Sequence, residues 1–213
     1  MFETPLNLTE QRVLGCLVEK QLSTPDYYPL TLNALVNACN QSTNRDPVMA
    51  LEEDTVASAL EDLRRRQVVW FVDAAGSRTR KFEHRLADAL GLSVQETAIL
   101  AELMLRGPQT PGELRARCTR MYAFQDLQEV EAALGVMLEA DPPLVARLPR
   151  QPGTKETRFG QLLGGAPEAA STVPSTGPSV PPSRTQLEAE LVALREEFNQ
   201  LRDAFEAFRK QFE

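Results

Sequence analysis

The segment Thr31–Cys39, with the sequence TLNALVNAC, aligns with the segment Thr110–Cys118, with the sequence TPGELRARC. The two segments share a threonine at the first position, a leucine at the fifth and a cysteine at the ninth. A threonine before an apolar-periodic run is a helix N-cap signal, so both segments are predicted to be helices. The chain therefore contains one structural unit twice, which is the feature that decides its fold.

The alignment extends on both sides of these helices. Upstream, Leu8-Thr9-x-Gln11 matches Leu92-Ser93-x-Gln95, and downstream Val56-x-x-Ala59-Leu60 matches Val130-x-x-Ala133-Leu134. In each copy an apolar strand follows, and then a charged return strand that ends at Phe82 or Phe159. The order helix, helix, helix, strand, turn, strand is typical of a winged helix-turn-helix. We therefore expect a mainly α fold with small β wings, built from two tandem winged-helix domains at residues 1–90 and 91–163.

Local signals place the predicted elements. Thr9 is the expected N-cap of the first helix, and Asp46-Pro47 reads as the start of a further helix because proline is favoured at the first helical position. The third helices are expected near Asp54–Arg66 and Asp126–Glu139. The wings are predicted at residues 68–72 with 78–86, and at residues 144–148 with 155–159.

The last 50 residues have a different character. Residues 164–184 are dominated by Pro, Gly, Ser, Ala and Thr, which predicts a disordered linker. Residues 185–213 predict a C-terminal coiled-coil helix, because apolar residues recur at alternating spacings of four and three. These residues are Leu187, Leu191, Leu194, Phe198, Leu201, Phe205, Phe208 and Phe212. A parallel homodimer is the simplest interpretation, and a helix that docks onto its own domains is the alternative.

Charge and composition limit the classes of protein. The formal net charge is −7, and residues 1–90, 91–163 and 164–213 each contain more acidic than basic side chains. A strong DNA-binding protein usually has a basic patch, although an acidic protein can bind DNA when its positive charge is focused on one face. The sequence has neither a long apolar run nor a signal-peptide pattern, and its three cysteines are widely spaced. We expect a cytoplasmic protein without a membrane partner.

Residues that could perform catalysis or hold a metal are scarce. His84 is the only histidine, which leaves no histidine pair for acid–base work or for metal ligation. Cys39 and Cys118 occupy equivalent helix positions, where thiols most often serve packing. No glycine-rich phosphate loop is present. The sequence therefore predicts no enzyme activity, no cofactor and no bound metal.

Candidate nucleic-acid contacts lie at three places in the first copy. They are Asn40, Gln41, Ser42, Asn44 and Arg45 in the loop after the second helix, Arg64, Arg65 and Arg66 at the end of the third helix, and Arg78, Arg80 and Lys81 in the wing. In a winged helix the third helix enters the major groove, and wing cations contact phosphates. We therefore expect a DNA-associated or regulatory protein, with double-stranded DNA as the first partner to test. The polar loop has a second interpretation, in which it closes on itself through Asx-type turns.

The third helices argue against DNA. Acidic side chains dominate the exposed positions of the first, and the second contains neither Lys nor Arg. Carboxylates that face a groove walled by phosphates are repelled. The alternative function is a protein–protein adaptor that uses its winged-helix surfaces for docking. Arginines exposed together on one face would favour DNA, whereas arginines paired to carboxylates would favour the adaptor.

Residues 27–49, with the sequence YYPLTLNALVNACNQSTNRDPVM, closely resemble the YceH-like family of uncharacterised bacterial proteins. The resemblance extends over most of the chain through the repeat and the coiled-coil tail. It implies a tandem winged-helix architecture and a bacterial cytoplasmic protein. It implies no mechanism, because a fold by itself does not fix a function.

Overall fold

The computed structural model describes residues 4–72, 80–149 and 156–165, and these contain seven α-helices and five short strands. The first set of elements is α1 (Leu8–Ser23), β1 (Leu30–Thr31), α2 (Leu32–Cys39), α3 (Glu53–Arg65), β2 (Val69–Val72), β3 (Lys81–His84) and α4 (Leu86–Leu90). The second set is α5 (Val94–Arg106), α6 (Pro111–Arg117), α7 (Leu127–Glu139), β4 (Val145–Arg147) and β5 (Phe159–Gln161). The predicted linker beyond Gly165, the tail and Arg78 lie outside the described residues.

Helix α1 begins at a capping box. Asn7 Oδ1 accepts a hydrogen bond of 2.9 Å from the Glu10 N–H, and Glu10 Oε2 accepts one of 2.7 Å from the Asn7 N–H. The prediction of Thr9 as the N-cap was wrong by two residues, because Asn7 and Glu10 satisfy each other's main-chain donors. Thr9 lies in the first turn of the helix.

The first sheet has the order β1-β3-β2 and is antiparallel. Phe82 in its central strand lies opposite Leu30 on one side and opposite Phe71 on the other. The second sheet contains β4 and β5, and Gln109 forms a single antiparallel bridge with Phe159. Gln109 therefore has the same relation to Phe159 that Leu30 has to Phe82. The prediction of a mainly helical fold with small antiparallel sheets is confirmed.

The hydrogen bonds between β4 and β5 show which main-chain groups of β5 point toward β4. The Leu148 N–H donates to the Arg158 carbonyl, and the Leu162 N–H donates to the Leu144 carbonyl, both at 2.8 Å. In an antiparallel ladder such pairs occur at every second residue. The even-numbered residues of β5 therefore bond to β4, and the odd-numbered residues direct their N–H and C=O groups to the opposite edge.

The aligned threonines perform the same task in both sets. Thr31 Oγ1 accepts from the Ala34 N–H at 3.3 Å, and Thr110 Oγ1 accepts from the Glu113 N–H at 3.2 Å. The aligned cysteines at the ends of these segments are fully buried. The aligned threonines and cysteines thus have matching structural roles.

Helices α1 and α5 approach each other closely where the two sets of elements meet. A Cβ atom added at Gly15 of α1 would lie 3.1 Å from the side chain of Leu105 and 3.3 Å from that of Met104. The buried apolar residues of both sets form one continuous cluster. Helix α4 ends at Gly91, whose φ is +65°, and the apolar cluster includes residues on both sides of this point.

Three local predictions differ from the structure. No helix starts at Asp46-Pro47, because the chain from residue 40 to 52 is an irregular loop held by side-chain hydrogen bonds. Helix α4 follows the first wing, where no helix was expected. Strand β5 begins at Phe159, where the second wing was expected to end, because the bridge to Gln109 forms at that residue. Within the described ranges, no helix has the length and hydropathy of a membrane span.

Candidate functional site

The loop after α2 is closed by the side chain of Asn40. Asn40 Nδ2 donates to the Leu51 carbonyl at 2.9 Å, and Asn40 Oδ1 accepts from the Leu51 N–H at 2.7 Å. Gln41 Oε1 accepts from Lys20 Nζ and from Arg45 Nη2, both at 3.2 Å. Ser42 is exposed. Asn40 and Gln41 therefore use their amides inside the fold rather than presenting them to a ligand.

Arg45 lies inside this loop, and its side chain has no exposed surface. Its guanidinium donates to both carboxylate oxygens of Glu19, at 2.6 and 3.1 Å, and to the carbonyls of Ala38 and Asn44. Burial alone would lower the pKa of Arg45, but the hydrogen bonds to Glu19 hold that pKa above its ordinary value. Arg45, which was predicted to contact phosphates, is thus buried and connects the loop to α1.

Asn44 connects the same loop to α5. It has a positive φ of 54°, a conformation that asparagine tolerates better than most residues. Its Nδ2 donates to Glu102 Oε2 at 2.9 Å. Glu102 is fully buried, and its other carboxylate oxygen has no partner in the described part of the chain. Burial raises the pKa of Glu102, because the ionised carboxylate loses its hydration inside the protein.

Two of the α3 arginines pair with acidic residues one turn earlier. Arg64 Nε lies 3.0 Å from Glu61 Oε2, and Arg65 forms an ion pair with Asp62. Both pairs are solvent-exposed, and exposed pairs contribute little to stability. They nevertheless neutralise the local positive charge on this end of the helix.

Arg66 points back toward the start of the chain. Its Nε lies 3.3 Å from Glu10 Oε1, and its Nη1 donates to the Thr4 carbonyl at 2.6 Å. Glu10 is buried, so Arg66 compensates a carboxylate that would otherwise be unpaired. All three arginines of this run therefore pair with carboxylates, the arrangement that favours the adaptor interpretation.

The first wing brings two cations together on one aromatic ring. The guanidinium carbons of Arg64 and Arg80 lie 5.3 and 5.4 Å from the centroid of the Phe71 ring, on which both can make cation–π contacts. Arg80 is exposed and Lys81 is partly exposed. Arg64 and Arg80 are the predicted contacts that the structure brings together on one surface.

One face of α3 lines a large cleft. Asp54, Ser58 and Asp62 follow one another at intervals of four residues, so they share a helix face. The cleft has a volume of about 1260 Å³, and Asp46 also lines it. Gly160 and Gln161 of β5 contribute to the other side. No Lys or Arg is among the described residues that line this space, which we name the acidic cleft.

Helix α7 presents apolar residues on its outer side as well as to the core. Leu127 and Val136 are 43% and 57% exposed. A groove of about 430 Å³ runs between α7 and the second sheet, and Leu127, Leu134, Leu138 and Phe159 line it. An apolar surface of this kind is typical of protein contacts rather than of phosphate binding.

His84 has a structural environment. Its Nδ1 accepts from the Leu86 N–H at 3.2 Å, so the ring proton is on Nε2, which lies 2.6 Å from Gln21 Oε1. Burial lowers the pKa of His84 to about 4. Residues 4–72, 80–149 and 156–165 contain no group of three His, Cys, Asp or Glu side chains that could hold a metal ion.

The acidic cleft was absent from the sequence predictions, which named the pairing of the arginines with carboxylates as one of two possible outcomes. The four-residue spacing of Asp54, Ser58 and Asp62 is a visible signal for one face of the cleft. Its other side comes from the second set of elements, about 100 residues later in the chain, and no local pattern indicates that the two sides meet.

Comparison with known proteins places the chain in a family. The profile of the family described as "Protein of unknown function, DUF480" matches residues 6–154. A UPF0502 protein of Geobacter sulfurreducens is 52% identical, with 99% of this chain and 100% of the relative covered. A UPF0502 protein of Azoarcus is 50% identical, over 98% and 94% of the two chains, and one of Koribacter versatilis is 54% identical, over 74% and 73%. The chain therefore belongs to the DUF480/UPF0502 family of bacterial proteins of unknown function.

Proposed function

We propose that this protein is a non-enzymatic adaptor that binds partner proteins through the surfaces of two tandem winged-helix units. The observation that carries the proposal is the face of α3 formed by Asp54, Ser58 and Asp62, which lines the acidic cleft. No cation is available among the described lining residues to attract a phosphate there. A negatively charged concave surface favours positively charged protein partners and repels nucleic acid.

The winged-helix classification rests on the order of the elements and on strand pairing. Each set contains three helices followed by two antiparallel strands. In each set, a residue that precedes the second helix pairs with the last strand. Leu30 pairs with Phe82 in the first set, and Gln109 pairs with Phe159 in the second. The resemblance to the YceH-like family implies the same architecture. Within it, α3 and α7 are the helices that a DNA-binding member would place in the major groove.

The second unit supports the adaptor through its apolar surface. Helix α7 contains no Lys or Arg, and its exposed Leu127 lines the apolar groove. Apolar residues that rim a groove are typical anchor points for a partner protein. The exposed acidic residues of the same helix, such as Glu131, would add charge selectivity at the rim.

DNA binding by the first wing is the second candidate function. It is favoured by the joint position of Arg64 and Arg80 on the ring of Phe71, next to Lys81. These cations would contact phosphates and supply no base readout. The interaction would be weak and independent of sequence, and it would not use α3.

Self-association through residues 185–213 and a cytoplasmic location complete the proposal. The alternating four- and three-residue spacing of leucine and phenylalanine in the tail is that of a coiled-coil seam. A dimer would present two copies of each docking surface and raise the avidity for a repetitive partner. Removal of residues 185–213 should therefore reduce the solution mass to that of a monomer.

Site-specific photo-crosslinking in living cells tests the adaptor function. A benzoylphenylalanine at Ser58 in the acidic cleft should give adducts with a discrete protein, and the same group at Ala34, an exposed position of α2, should not. Adducts at Ser58 that are sensitive to nuclease would contradict the proposal. Identical adducts at both positions would contradict it as well.

A further inference from the structure

The carboxylates of the acidic cleft are available to a ligand. The carboxylate of Asp54, in the first turn of α3, makes no hydrogen bond or ion pair with another described residue. Among the described residues, the carboxylate of Asp62 pairs with Arg65, whose side chain is 72% exposed and therefore well screened by solvent. The hydroxyl of Ser58 lies between these two residues on the same face. This wall of the cleft matches a ligand that carries separated positive charges.

Strand β5 contributes one residue without a main-chain partner to the lining of the cleft. At this edge of β5, Phe159 exchanges two main-chain hydrogen bonds with Gln109, and the Leu163 carbonyl accepts from the Leu6 N–H. Gln161 lies between these two pairings, and the alternation of the ladder directs its N–H and C=O to the same edge. Neither group has a hydrogen-bond partner within the described ranges. The gap coincides with the cleft, because Gln161, Leu6 and Gly107 line it.

These two walls identify the class of ligand. We propose that the acidic cleft binds an extended, basic segment of a partner protein, an inference that rests on the proposed adaptor function. The segment forms a single β-bridge with Gln161 through the main chain of one of its residues, like the bridge between Gln109 and Phe159. Its lysine or arginine side chains project toward Asp54 and Asp62, since alternate side chains of a strand point to the same side.

The size and floor of the cleft agree with a peptide. Its volume of about 1260 Å³ exceeds the roughly 300–1,000 Å³ of most small-molecule sites. Leu8, which is 66% exposed, supplies apolar surface in its lining. This surface can cover the aliphatic stems of lysine and arginine while their charged ends reach the carboxylates.

The test uses the full-length protein and a labelled probe peptide. The probe is a fluorescein-labelled octapeptide of alternating arginine and valine, titrated by fluorescence polarisation. Ser58→Lys adds one positive charge to the wall of the cleft, and Ala132→Lys adds the same charge at an exposed position of α7. Both substitutions are at solvent-accessible helix positions, and thermal melting checks that both variants fold.

The expected result is selective loss of peptide binding. Ser58→Lys should weaken binding by about tenfold, and Ala132→Lys by less than about twofold, because a like charge acts strongly only at short range. A probe with N-methylated amides at alternate residues should also bind about tenfold more weakly, since it loses main-chain hydrogen bonds. Equal binding by wild type and Ser58→Lys, equal weakening by both variants, or equal binding of the N-methylated probe would overturn the proposal.

A parallel titration separates this inference from the adaptor function. Random duplex DNA replaces the peptide under the same conditions. Strong duplex binding would contradict the adaptor itself, whatever the peptide does. Absence of duplex binding together with unselective peptide binding would overturn only the assignment of the acidic cleft.

Discussion

The guanidinium of Arg45 donates two hydrogen bonds to the carboxylate of Glu19, at 2.6 and 3.1 Å, in a part of the molecule where neither side chain is more than 11% exposed. This pair fastens the loop after α2 to α1. Arg45 also donates to the carbonyls of Ala38 and Asn44. Arg45, which was predicted to contact nucleic acid, is therefore buried inside the fold.

Replacement of Arg45 by Ala should destabilise the protein by about 3–5 kcal/mol, because it leaves the buried carboxylate of Glu19 without its partner. Arg45→Lys should recover little of this loss, since an ammonium group cannot bond to both oxygens in the same fork geometry. Urea unfolding at pH 7 measures the effect. Arg65→Ala, which breaks an exposed pair, is the control and should cost less than about 1 kcal/mol. Similar costs for Arg45→Ala and Arg65→Ala would contradict the role given to Arg45.

The buried imidazole of His84 predicts an acid-sensitive contribution to stability. Its folded pKa of about 4 is below the unfolded value of about 6.5, so the unfolded chain binds more protons between these values. The contribution is complete above pH 6.5 and is lost as the pH falls toward 4, by a total of about 3 kcal/mol.

Proton NMR measures the pKa of His84 directly, because it is the only histidine in the chain. In a tag-free sample its Hε1 resonance should titrate with a midpoint about two pH units below that of a free imidazole. A midpoint near 6.5 would show that the ring is solvated and that the bonds to Gln21 and Leu86 are not maintained in solution.

Two helical glycines predict opposite effects of added side chains. At Gly15 a Cβ would already lie 3.1 Å from Leu105, so Gly15→Val should push α1 from α5 and cost about 1–3 kcal/mol or more. At Gly135 of α7 a Cβ would meet nothing within 4 Å, so Gly135→Ala should stabilise the protein by up to about 1 kcal/mol through helix propensity. Urea unfolding of both variants checks the prediction. A stabilised Gly15→Val would contradict the close α1–α5 contact.

The sequence predicted the parts of the fold that depend on local patterns. The aligned segments Thr31–Cys39 and Thr110–Cys118 give the second helix of each set, and the threonines act as the expected caps. The third helices also lie where apolar periodicity placed them, within one residue at their N-termini. Helix periodicity and capping are short-range signals, and the packed structure preserves them here.

The parts that could not be predicted depend on contacts between distant residues. Arg45 reads as a surface cation until its partner Glu19, which lies 26 residues earlier, is brought beside it. The Asp46-Pro47 signal for a helix was overridden because Asn40 bonds to Leu51 and holds the loop in an irregular path. A local signal indicates what a segment prefers, and tertiary contacts decide whether that preference is realised.

The central claim, that α3 faces an acidic cleft and does not bind DNA, is tested most directly by a salt series. Fluorescence polarisation of a labelled random duplex of about 20 bp is followed as the salt concentration is raised from about 20 to 200 mM. The adaptor account predicts no saturable binding at micromolar protein, even at the lowest salt. Tight binding that weakens steeply with salt, and that is lost when Arg64, Arg65 and Arg80 are replaced by Ala, would contradict it.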